Sequence, residues 1–120
     1  MQLASNLVVL LVAVLHVYIL VLEMFLWDKP TGLRAFGQTL EQARASKTLA
    51  ANQGLYNGFL AAGLAWGLTL GAAGSHVKLF FLGCVLVAGV YGGLTAHRKI
   101  LFIQGLPALV GLGLTFAARL

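Results

Sequence analysis

The sequence predicts an all-α fold, a polytopic membrane four-helix bundle with antiparallel up-down topology, and three observations carry that prediction. Of its 120 residues, 60% are hydrophobic and 9% charged, with a mean hydropathy of +0.93. A soluble domain carries about 25% charged residues to keep its surface solvated. A bilayer core takes roughly 20 helical residues to cross, and four apolar runs reach that length: residues 4–27, 49–72, 77–96 and 100–118. Stretches such as LVVLLVAVL and VLVAGVYGGL do not alternate apolar with polar as barrel strands do. Lipid leaves only helices and closed barrels able to satisfy their backbone groups, so these runs read as helices.

The first run is preceded by no positive charge and is longer than the apolar core of a secretory signal, so it reads as a helix of the mature chain. Pro30 and Gly32 end it. In the polar segment 28–48, Thr39 and Gln42 stand at capping-box spacing, which predicts a short helix at the lipid surface or one running directly into the second span. The connections at 71–76 and 97–99 are short, so successive spans are expected to be antiparallel neighbours. No long repeat or low-complexity tract interrupts the chain, which reads as a single domain over residues 1–120.

Orientation follows from the basic residues. Lys29, Arg34, Arg44, Lys47, Arg98 and Lys99 fall on the side of the first and third connections, against Lys78 and Arg119 on the other. Cytoplasmic loops are enriched in Lys and Arg, which predicts a bacterial inner-membrane protein with both termini outside the cytoplasm. The net charge of +5 is scattered between apolar stretches and forms no phosphate-tracking stripe, so nucleic acid is not expected as a partner. One cysteine, Cys84, allows no intrachain disulfide and is expected to be buried and inert. Three acids and three histidines, mostly far apart in depth, argue against a metal site, and no cofactor is predicted. The GxSxG elbow, the phosphate loop, the dinucleotide fingerprint and HEXXH are all missing.

Small residues recur four apart: Gly54 with Gly58, then Gly63, Gly67 and Gly71, and on the third run Ala88 with Gly92 and Gly89 with Gly93. Membrane helices gain by close backbone contact, so these stripes are read mainly as helix packing surfaces. Pro107 removes an amide donor opposite the Ile103 carbonyl and predicts a kink.

Sorting polar residues by depth singles out one end. His16 and Glu23, seven apart, share a face of the first helix. The second begins with Asn52, Gln53, Tyr56 and Asn57, the third ends with Tyr91, Thr95 and Arg98 on one stripe, and the fourth offers Gln104. Polar groups facing hydrocarbon are costly, so these are expected to face inward and line a shared pocket near the cytoplasmic leaflet. His76 and Lys78 are expected in water on the outer face, His97 at a solvated turn, and Tyr18 and Trp27 at lipid or interface anchoring positions.

The segments HVYILVLEMFLW, AANQGLYNGFLAAGLAWG and YGGLTAHRKILFIQGLPA resemble an uncharacterised family of small bacterial integral membrane proteins, a domain of unknown function. The resemblance spans nearly the whole chain and implies a four-helix membrane protein with no established activity. Three functions fit the polar cluster. In a small-solute or proton-coupled transporter subunit, Glu23 and His16 bind protons or a cationic solute. Four short helices enclose little volume, so such a subunit is expected to act as a homodimer. In a lipid or isoprenoid isomerase or cyclase, Glu23, His16, Tyr56, Asn57 and Tyr91 move protons and steady a cation. In a structural or regulatory subunit, the cluster fixes helix register. Membrane lipid and a small solute or lipid ligand are the expected partners.

Overall fold

The computed structural model describes residues 1–119, which form helices joined by short turns, with no strand among them. In order they are α1 (Gln2–Met24), α2 (Pro30–Phe36), α3 (Leu40–Ala45), α4 (Lys47–Thr69), a 3-10 turn (Gly71–Gly74), α5 (Ser75–Thr95), α6 (Arg98–Ile100), a π turn (Leu101–Gly105) and α7 (Leu106–Arg119). Three stretches among the described residues are long and apolar enough to cross a membrane: Gln2–Met24, Gly71–Thr95 and Arg98–Arg119. The fourth expected span corresponds to α4, which has the length, at 23 residues, but not the apolarity. Asn52, Gln53 and Asn57 fall in its first half and dilute the apolar run.

The chain divides into two compact units, one made of Met1–Val14 and the segment from Leu60 onward, the other of Leu15–Phe59. The core of the first unit joins Val9, Val12 and Ala13 of α1, Leu64 of α4, Leu82 and Val85 of α5 and Ala108 of α7. Close approaches give the helix directions. Positions that meet across α5 and the last span run in reverse order, Leu82 with Gly111, Gly89 with Gly105 and Gly93 with Leu101, so the two are antiparallel. The same reversal pairs Gly63 with Phe81 and Gly67 with Lys78 between α4 and α5. At Gly89 an added Cβ would lie 2.6 Å from the Gly105 nitrogen and 2.8 Å from its Cα, so backbone meets backbone there. The small-residue spacing read from the sequence is used as expected at this contact.

The anticipated kink takes a different form. The Leu106 amide reaches back to the Leu101 carbonyl, five residues away, and a π turn closes two residues before Pro107. A proline ring clashes with the carbonyl four residues earlier, and a widened turn is one way to accommodate it. The outer faces of the apolar spans carry Leu3, Leu7, Leu11, Val14, Phe80 and Val87, all exposed. So broad an apolar surface suits acyl chains and not water.

In the second unit, the chain turns sharply after α1 because Gly32 packs onto the Leu26 carbonyl, where a Cβ would collide with the oxygen. Pro30 opens α2 and Gly37, at φ 60°, closes it in the left-handed region. The capping box forms as its spacing predicts: the Gln42 amide donates to Thr39 Oγ1 at 3.1 Å, and the Thr39 amide to Gln42 Oε1 at 3.0 Å. Trp27, half-buried, also makes contacts within the unit. Its Nε1 donates to Ser46 Oγ at 3.1 Å and its ring sits 4.7 Å from that of Phe36, tying the polar segment down.

Candidate functional site

Glu23 occupies the last turn of α1 and is only 5% exposed. Its seat is made by α4. Gly54 and Gly58 leave bare backbone under α1, and a Cβ added at Gly54 would lie 3.0 Å from Glu23 Cβ and 2.7 Å from Met24 Cγ. At Gly58 the same atom would press on Leu20. This close approach lets Asn57, three residues on from Gly54, reach across and donate its Nδ2 to Glu23 Oε1 at 2.6 Å. Asn57 is itself buried, at 9% exposure. A carboxylate offers about four acceptor positions, of which the Asn57 amide occupies one. His16 lies seven residues earlier on the same helix and is fully buried.

The structure thus brings Glu23 and Asn57 into contact and buries His16. The other sequence-selected residues are placed differently. Asn52, Gln53 and Tyr56 lie on exposed positions of α4. In the first unit, Tyr91 is 70% exposed, and the Thr95 hydroxyl donates to the Tyr91 carbonyl of its own helix at 2.7 Å. Arg98 is exposed, and Gln104 is half-buried in the π turn. The amides beside Asn57 therefore face away from the carboxylate that it binds.

Beyond α1, Asp28 accepts a hydrogen bond from Lys47 Nζ at 3.0 Å, which holds its carboxyl below the ordinary value of 3.8. With the Trp27–Ser46 bond, this contact fixes the start of α4 relative to the end of α1 within the same unit.

Sequence reasoning missed another buried ionisable group. Lys78, expected in water, is 1% exposed and donates to Asn6 Oδ1 at 3.1 Å. Gly67 makes the room, since a Cβ there would lie 2.7 Å from Lys78 Cγ. Nearby elements add a buried bond of 2.8 Å between the Ser5 and Thr115 hydroxyls. The available signal was depth: Asn6, Lys78 and Thr115 are all about one or two turns from a span end, and Gly67 belongs to a stripe already noted.

Residues 10–116 match the model of a family described as a protein of unknown function, DUF1304. An uncharacterised protein of Lactococcus lactis subsp. lactis, YpaA, is 34% identical over 105 residues, covering 86% of this chain and 88% of its own length. No solved structure matches significantly. The chain belongs to the DUF1304 family.

Proposed function

We propose that this family member is a polytopic inner-membrane protein whose Glu23 seat binds a proton or a small cationic solute, as in a proton-coupled transporter subunit. The observation that carries the reading is the buried hydrogen bond from Asn57 to Glu23 at the end of an apolar span. Carboxylates within membrane segments are rare and mark ion or proton pathways. Asn57 orients the carboxylate, and His16, two turns away on the same helix face, supplies a second titratable group along it. In this reading α4 completes a four-span antiparallel bundle, with its amide-rich half at the cytoplasmic side and both termini outside.

A structural reading has its own support, because Gly54 packs the pair closely between α1 and α4. The two readings separate at Glu23→Gln. An amide still bonds across helices, so a register clamp tolerates the change, whereas proton coupling cannot survive it. The experiment is proton release from pyranine-loaded proteoliposomes on addition of quaternary ammonium or amine solutes. Solute-driven proton movement in the native protein that disappears in a folded Glu23→Gln variant supports transport. Absence of any proton movement, with the variant as stable as the parent, rejects it in favour of the clamp.

A further inference from the structure

All three apolar spans have a terminus in the first unit at one end: Gln2 opens the first, Gly71 the second, and Arg119 closes the third. A recess of about 400 Å³ lies there, lined by Gln2, Ser75, His76 and Arg119 together with three alanines. One helical turn beyond Ser75 stands Lys78, buried to 1% exposure with its ammonium on the neutral amide of Asn6. This unit has no acidic side chain at all, since Glu23, Asp28 and Glu41 all belong to the segment Leu15–Phe59. Arg119 and Lys78 thus place two positive charges at this end without a carboxylate side chain from their own unit.

That combination selects for an anion. A guanidinium presents a planar fork of donors that matches phosphate oxygens, while Gln2, Ser75 and His76 add further hydrogen-bonding groups to the same recess. The buried lysine adds a field that salt screens little. The spans end here, so the recess opens at the depth of phospholipid headgroups.

We propose that this recess binds a phosphate group, that of an anionic phospholipid, with Arg119 as the principal contact and Lys78 as the buried charge behind it. Inorganic phosphate shares the chemistry, and the test separates the two sources. The full chain in neutral detergent is titrated with short-chain phosphatidylglycerol, short-chain phosphatidylcholine and inorganic phosphate, reading the thermal midpoint and the lipid retained in native mass spectrometry. Phosphatidylglycerol is expected to raise the midpoint and remain bound, and phosphatidylcholine to do neither. Arg119→Ala is expected to weaken phosphatidylglycerol binding by about tenfold or more, the usual cost of a charge-assisted contact. Arg119→Lys should recover part of it, and Arg44→Ala in the polar segment should change nothing. Lys78→Met, where it folds, should weaken binding as well. A shift by inorganic phosphate as large as that by phosphatidylglycerol, and lost in Arg119→Ala, supports the phosphate site and assigns it to a soluble ligand. Equal binding of the two lipids, or phosphatidylglycerol binding unchanged in Arg119→Ala, overturns the proposal.

Discussion

The two compact units solve the same physical problem with opposite charge. In the segment Leu15–Phe59 a buried carboxylate, Glu23, accepts from Asn57 across two helices. In the other unit a buried ammonium, Lys78, donates to Asn6 across two helices. In each case a glycine on α4, Gly54 or Gly67, leaves room for the ionisable residue, since an added Cβ would lie 3.0 Å from Glu23 Cβ or 2.7 Å from Lys78 Cγ. The surroundings differ. The unit with Glu23 holds every acidic side chain of the chain together with four basic ones, whereas the unit with Lys78 holds four basic side chains and no acidic one. The proposed roles follow this contrast: capture of protons or cations at Glu23, and retention of an anion at the recess near Lys78.

Substitutions of the two asparagines test this symmetry most sharply. Asn6→Leu leaves the Lys78 ammonium buried without its acceptor, and removing one partner of a buried charge costs about 3 kcal/mol or more. The expected result is a large fall in the unfolding midpoint in micelles, or no folded protein; an unchanged midpoint would mean that the lysine reaches water. Asn57→Leu should cost less, about 2 kcal/mol, because Glu23 and Asn57 are 5% and 9% exposed against 1% for Lys78, so some water reaches the pair. Parity between the two variants would erase the distinction between the units.

Smaller effects sharpen the comparison. Thr115→Val removes the hydroxyl partner of Ser5 and should cost about 0.6 kcal/mol, the average for a hydrogen bond between membrane helices. A double-mutant cycle with Ser5→Ala measures it, and additive losses would show that the bond contributes nothing. The smallest effect belongs to Asp28. Its hydrogen bond from Lys47 lowers the folded-state value below that of the unfolded chain, so the contribution is present above pH 3.8 and is lost as the pH falls through the depressed value. Acid titrations of native protein and Asp28→Asn should therefore diverge only below about pH 4, with the native protein losing stability and the variant insensitive to this step.

Much of the fold was legible because lipid imposes a simple rule. Apolar runs of fixed length, short connections and small residues four apart yielded α1, α5 and the last span within a few residues of their observed limits. The contact of Glu23 with Asn57 was partly legible, since both were selected by depth. Depth says nothing about rotation around the helix axis, however, and α4 turns Asn52, Gln53 and Tyr56 outward while only Asn57 follows Gly54 onto the α1 side.

Chain composition by itself determined that this protein is helical, that its helices carry apolar faces broad enough for lipid, and where they begin and end, because those outcomes depend on local residue character and the cost of unpaired backbone groups. The tertiary structure alone decided which polar atoms meet. Partnerships such as Glu23 with Asn57 and Lys78 with Asn6 join residues 34 and 72 positions apart, and they form only where a glycine lets two backbones come near enough for side chains of that reach to touch.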